Sequence, residues 1–409
     1  MPKKITIITG PIVGLRSTKF IEDTIDFAAM VGEKVTVFNL FDEILSLSGR
    51  TPQNAYEEIL HIGELLDGYS YQFQCLREKA YLSIARKMDR LGKDVSVIIR
   101  TPASVEWRGY NIVLKDHRII SDVIGPDAIV TLINAEWKIK AHLAGHYGKH
   151  VLKIIARQDE LSIPRILEWL AIEVSVSEDW AEWASHITGK NVKHIVLGIE
   201  TPSYKDRKKY IRDVDNLLKL VTQKDVPTYY ASYSMTVATE VIRKKINSLI
   251  WELRSYGVVI DPASIELGSN IPEEHESVVF AYTLCRDLRW DVQKVDAVVA
   301  FHPYTQHPPL STGMMDELGH ARAFGKERYL VMPVGGGSPF TRDNYVPANH
   351  VFKTGEELFS FFETKRRPVL KPKYDHFRKA FRKWQEFTEK PEMKDAKTPD
   401  KYSRSQRSF

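Results

Sequence analysis

The sequence has little cysteine, no long apolar run and little net charge outside its last stretch, and each shortage removes a class of protein. Cys75 and Cys285 are the only two cysteines in 409 residues. Two thiols so far apart make no disulfide framework, and neither lies in a CxxC or Cys/His spacing that suits structural zinc. No stretch approaches the roughly 18 apolar residues of a membrane-spanning helix. The early run Ile5–Ile8 is broken at Thr9-Gly10-Pro11, too soon for a signal-peptide core. A soluble, cytoplasmic protein without membrane contact is the expectation. The formal charge of +5 invites a nucleic-acid partner, but from Lys365 to Phe409 fifteen Lys/Arg face six Asp/Glu. That segment carries +9 and residues 1–364 carry −4. What is plentiful is core material: 43% of residues are hydrophobic and 11% aromatic, enough for two or three domains at about 150 residues each.

The chain alternates short β-branched runs with amphipathic stretches. Ile5–Ile8 reads as a buried strand, followed by the turn Gly10–Gly14, a helix with Phe20, Ile21, Ile25 and Ala28 on one face, and the strand Val35–Phe38. Helices are expected over 53–91 and 161–187, the latter with Ser162 and Pro164 as cap and first-turn residues. Val95–Ile99, Ala128–Ile133 and His194–Leu197 complete the strands of a first unit. A second begins at the strand Thr228–Tyr233. It continues with a helix around Ile242–Leu253, the strand Val258–Asp261, the strand Ala297–Phe301, a helix over 314–324 and the strand Tyr329–Met332. This alternation specifies α/β architecture with parallel sheets.

Strand, Gly-containing turn and Ser-Thr helix start together suggest a phosphate loop, in which backbone N–H groups cradle phosphate. The strict pattern fails: Leu15 and Arg16 stand where Gly and Lys belong, and Ser17 is kept. A plain βα turn is the alternative. Ile5–Thr18, Val37–Leu45, Val95–Tyr110, Pro126–Asn134 and Ala181–Gly198 resemble, in order, the segments of archaeal-type adenylate kinases. The resemblance implies a P-loop kinase-like domain over 1–222 with a degraded loop. Arg100 replaces the expected acid after the third strand, where magnesium-assisted transfer needs a carboxylate. Such a domain is either a nucleotide or phosphate binder, through Gly10, Arg16, Ser17 and Arg100, or purely structural or dimerising.

The second motif runs from Asp296 through His302-Pro303 to Leu310-Ser-Thr-Gly-Met-Met-Asp-Glu-Leu-Gly-His320 and Gly325-Lys326. Taken alone it is a strand, a loop and a Ser-capped helix with Asp316 and Glu317 near its start, an ordinary acidic first turn. Over Tyr230 to Phe362 it resembles the nucleoside 2-deoxyribosyltransferase family, particularly the deoxynucleoside monophosphate N-glycosidase branch. The resemblance implies a Rossmann-like domain over 227–365. Within it, Glu317 attacks the anomeric carbon, Tyr230 holds that carboxylate, and Asp287 protonates the leaving base. Asp291 is the reserve for Asp287, because the spacing to Asp296 is one residue longer than expected. Ser232, Ser311, Thr312, Gly313 and Asp296 are the implied substrate contacts. Ser311, where transferases acting on free nucleosides have Asp, suits a 5′-phosphate; a simple helix cap is its other reading.

His302, His307 and His320 form no metal spacing, and neither metal nor cofactor is expected. Val334–Ser338 is either a backbone approach to substrate or loop freedom. Residues 366–409 read as a basic helix with Phe377, Phe381 and Trp384, then a flexible end. That helix either packs its aromatic stripe on the body or touches nucleic acid, an acidic partner or a neighbouring subunit. The expected partner is a small-molecule nucleotide or nucleoside, and the family resemblance implies a homo-oligomer. Two rival functions come from other readings: a non-catalytic nucleotide-binding sensor, and a glycohydrolase cleaving the nicotinamide bond of NAD.

Overall fold

The computed structural model describes residues 2–11, 15–51, 55–68, 70–144, 161–199, 207–235, 238–264, 271–304, 311–333 and 345–365. The side chains of Arg16 and Ser17, His307, the triple-glycine segment and the basic tail lie outside the described residues. The chain is α/β with two five-stranded, all-parallel sheets.

In the first half, β1 (Lys4–Thr9), α1 (Leu15–Met30) and β2 (Lys34–Asn39) follow one another as the hydrophobic rhythm predicts. Next come the helices α2 (Leu40–Leu47), α3 (Ala55–Gly68) and α4 (Ser70–Met88), then β3 (Val95–Arg100). A hairpin of β4 (Ser104–Trp107) and β5 (Tyr110–Val113) is an addition that the periodicity did not show. Its turn puts Arg108 at φ 53° and Gly109 at φ 85°, the left-handed pair of a tight hairpin turn. Arginine is a rare choice there, and it forms an ion pair with Asp67. β6 (Ala128–Ile133), α5 (Glu136–Ala144), α6 (Ile163–Thr188) and β7 (Lys193–Gly198) complete the unit. Ser162 caps α6, its hydroxyl accepting from the Arg165 N–H at 3.4 Å, with proline in the first turn. The strand order is β2-β3-β1-β6-β7, and both faces are covered, so β1 and β6 are buried at every position.

After α7 (Arg207–Thr222) the second sheet is built from β8 (Thr228–Ser232), β9 (Val258–Ile260), β10 (Ala297–Phe301), β11 (Glu327–Val331) and β12 (Val351–Phe352). The helices are α8 (Glu240–Leu253), α9 (Glu273–Cys285), α10 (Thr312–Ala323) and α11 (Gly355–Lys365). The strand order β12-β11-β10-β8-β9 reverses direction between β8 and β10, and open α/β sheets take ligands at such a switch, at the carboxyl ends of the strands.

α7 joins the halves. Its Leu217, Leu218 and Val221 share one apolar cluster with Ile8, Ile98 and Val130 of the first sheet and Tyr230, Val258 and Val298 of the second. The Asn216 amide donates to the Val259 carbonyl at 2.8 Å and accepts from the Val259 N–H at 3.2 Å, closing the open edge of β9 as another strand would. Among the described residues, no helix is long and apolar enough to cross a membrane.

Candidate functional site

Alternation along β8 sends Tyr230 and Ser232 to the same side of the sheet, and both are fully buried. Beyond β10 the chain enters α10, whose N-cap is Ser311, its hydroxyl accepting from the Met314 N–H at 3.3 Å. Less than two turns on, Glu317 meets the strand. One carboxylate oxygen accepts from the Tyr230 hydroxyl at 2.8 Å, and the other accepts from Ser232 Oγ. The sequence-predicted Tyr230, Ser232 and Glu317 are thus brought into one hydrogen-bonded group. Thr312 and Gly313 form the exposed first turn of the same helix. Among the described residues, a side chain on Gly313 would meet nothing within 4 Å.

Facing this group is a π-helix, Arg286–Val292, that continues α9. The Gln293 N–H donates to the Leu288 carbonyl, five residues back, at 3.0 Å. A π-turn accommodates one residue more than an α-turn. Its wider turn places Asp287 and Asp291 on one face. Arg286 is buried, and its Nη2 and Nε both donate to Asp287 Oδ1, at 2.7 and 2.9 Å. Asp291 is 6% exposed and lines a crevice with Arg286, Ile260, Asp261, Leu197 and Gly198. The crevice therefore runs along the carboxyl ends of β9 and β7, one strand from each sheet. Asp261 in its wall accepts from the Tyr233 hydroxyl at 2.8 Å.

The electrostatics follow from burial. Desolvation pushes Glu317 up to about 7, against the Ser232 and Tyr230 hydrogen bonds and with help from the negative charges of Asp287 and Asp316. Asp291 is driven well above the usual carboxylate range, first by burial; Arg286 opposes this, and Asp287 and Glu317 add to it. Asp287 is raised by burial too, with Arg286 pulling the other way. Burial and the Glu317 charge hold Tyr230 in its phenol form, as a donor. The arrangement offers a carboxylate fixed by two hydroxyl donors, able to stabilise and trap a cationic carbon, beside two carboxyls whose burial favours the protonated form.

Asp296 is not part of this group, contrary to its expected role as a substrate contact. It precedes β10 and so sits at the amino end of the sheet. There it accepts from the Thr228 N–H at 2.8 Å, from Thr228 Oγ1 at 3.0 Å and from Lys193 Nζ at 2.8 Å. Burial raises its pKa, but the Lys193 ammonium and the Thr228 donors outweigh this and hold it low. His302 is buried with its ring 4.8 Å from that of Tyr304, and His320 lies against Phe324.

In the first half, Gly10 ends β1 at φ 150°, where a Cβ would come within 2.7 Å of the Leu132 carbonyl oxygen. Its N–H donates to Glu173 Oε1 at 2.8 Å. Glu173, buried on α6, also accepts from the N–H groups of Ala103 and Ser104, at 2.8 and 2.7 Å, and from Ser104 Oγ. The protein's own carboxylate thus occupies these donors at the carboxyl ends of β1 and β3, which sequence reasoning did not foresee. Arg100 closes β3, half-buried, its charge bearing on Asp42 of α2. Arg16 and Ser17 lie in the first turn of α1. Among the described residues, no group of three or more His, Cys, Asp or Glu is placed to hold a metal ion. The sequence matches no family model, and a search of curated proteins finds no match.

Proposed function

We propose that the protein breaks the bond between base and sugar of a nucleoside 5′-monophosphate or nucleoside, with Glu317 as nucleophile. The observation that carries this reading is the convergence of Tyr230 and Ser232 on the Glu317 carboxylate beside the buried acids of the π-helix. The Glu317 oxygen attacks the anomeric carbon as the carbon–nitrogen bond breaks, and the bond pair leaves on the base nitrogen. Asp291 gives that base its proton. A glycosyl ester remains, which water or an acceptor base then opens, returning a proton to the Asp291 carboxylate. Positive charge growing at the anomeric carbon favours the ionised form of Glu317, offsetting the burial that raises its pKa.

Asp291 suits the donor role better than Asp287, because Asp287 is engaged by the Arg286 guanidinium while Asp291 lines the crevice. The N-terminal turn of α10, with Ser311, Thr312 and Gly313, is the proposed seat of a 5′-phosphate. The first half is proposed to be without kinase activity: Leu15, Arg16 and Arg100 break the phosphate-loop pattern, and Glu173 holds neighbouring N–H groups.

The test is chromatography for free base after incubation with deoxynucleoside monophosphates, deoxynucleosides and NAD, beside Glu317→Gln. Release that falls at least about a thousandfold in the variant supports the reading. No release from any substrate, or equal release by the variant, sinks it. An added acceptor base separates transfer from hydrolysis.

A further inference from the structure

The acid turn is a π-helix, a backbone form that is rare and short-lived in sequence, and its packing comes from the other half of the chain. Trp290, the residue before Asp291, is buried in the apolar cluster of the first half, together with Trp169 and Trp180 of α6. Among the described residues it is the only buried member of that cluster from beyond α7. The Tyr282 ring of α9 meets it edge to face at 5.1 Å.

α6 runs the length of this contact. Near its start, Ile163 and Leu167 cluster with the fully buried Val279 of α9. About 16 Å further along the helix, Glu178 forms an ion pair with Lys294, and Arg289 Nη2 stands 3.9 Å from its other oxygen. The Arg289 side chain is 57% exposed, and a contact of that kind adds little. Lys294 and Glu178 are 16% and 11% exposed, so losing one charge strands the other away from water. The N–H groups of Lys294 and Val295 both donate to the Asp291 carbonyl, at 3.2 Å each. What grips Lys294 therefore grips the backbone of the proposed proton donor.

We propose that α6 braces the acid turn: Glu178, through Lys294, and Trp290, seated in the core of the first half, are positioning residues that fix where Asp291 stands relative to the leaving base. The proposal rests on the reading of Asp291 as the proton donor. It gives the first half a part in the chemistry that needs no nucleotide bound there.

A proton is delivered only over hydrogen-bond distance, and a displacement of about 1 Å costs on the order of a hundredfold. That loss falls only on substrates whose base must be protonated as it leaves. Glu178→Gln, which breaks the pair with Lys294, should lower kcat for base release about ten- to a hundredfold and leave KM unchanged. On the para-nitrophenyl glycoside of the same sugar, whose phenolate leaves without a proton, kcat should change by less than about twofold. Glu178→Asp keeps the charge and should lose less. Trp290→Phe keeps a ring in the cluster and should show the same selectivity between leaving groups; it serves where the Gln variant does not fold. An equal loss on both substrates is the mark of a merely structural role and overturns the proposal, as does no loss on either.

A readout without turnover is amide hydrogen exchange in the full-length protein. In Glu178→Gln the amides of Gln293, Lys294 and Val295, which donate into the turn, should exchange at least about tenfold faster, while those of β8 keep their wild-type rates. Unchanged rates at the turn overturn the proposal, and so does faster exchange throughout the protein. Faster exchange confined to the turn, in a protein that releases no base before or after the substitution, overturns the glycosidase reading and leaves the brace standing.

Discussion

The Tyr230 hydroxyl donates to the Glu317 carboxylate across 2.8 Å and stabilises the ionised form of a group that burial pushes up to about 7. Removing a hydrogen bond to the ionised form raises a carboxyl pKa further. Tyr230→Phe should therefore shift the acid limb of kcat/KM for base release to higher pH. The loss should be larger at about pH 6 than at about pH 8, and about ten- to a hundredfold where the limb is steepest. A uniform loss at every pH would show that Tyr230 acts on something other than the Glu317 charge.

The same burial makes Glu317 a liability for folding. In the unfolded chain it ionises around 4.5, in the folded protein around 7. Between those values the folded state holds the extra proton, so wild-type stability falls as pH rises and levels off above 7. Glu317→Gln has no such proton to lose. It should match wild type below about pH 4.5 and exceed it above pH 7 by on the order of 1–3 kcal/mol. Denaturant melts of both proteins across that range check it. Wild type equal to or above the variant at alkaline pH would contradict the proposed desolvation.

Asp287 and Asp291 share a face of the π-helix and differ in their partners. Asp291→Asn should abolish release of poorly leaving bases while sparing a substrate whose leaving group needs no proton. Asp287→Asn frees Arg286 for Asp291 and should lower the alkaline limb, with activity retained in neutral buffer. Kinetics with an activated leaving group separate the two, and the reverse pattern would assign the donor role to Asp287.

Asp296 ties the start of β10 to Thr228 and Lys193 and is far from the reacting group in sheet terms. Asp296→Asn should leave KM unchanged and cost about 1 kcal/mol of stability at low salt, less at high salt because the pair is half-exposed. A KM increase without loss of stability would restore its expected place among the substrate contacts.

Strands were the most legible part of the chain, because a strand buried on both faces must be written as an unbroken run such as Ala128–Ile133 or Ala297–Phe301. The β4–β5 hairpin escaped notice because Arg108 occupies a left-handed position usually signalled by Asn or Asp. A π-helix leaves no periodic signature in so short a segment. Position along a strand explains why Ser232 meets Glu317 and Asp296 does not. Ser232 ends its strand and so reaches the carboxyl edge, where the crevice lies, whereas Asp296 precedes its strand and cannot. Glu173 was illegible for another reason: nothing local marks a glutamate whose partners lie tens of residues away.

The bond between Lys193 and Asp296 joins the two sheets where their strands begin, and the crevice opens where the strands finish. β7 has six residues, so Gly198 in the crevice wall stands about 17 Å along the strand from Lys193. A rotation of one sheet against the other by about 5° about that end would move Gly198 by roughly 1.5 Å. Displacements of about 1 Å already decide whether a proton donor reaches its acceptor. The ion pair and the crevice thus stand at opposite ends of the same strands, so whatever orients the strands at one end sets the spacing of the walls at the other.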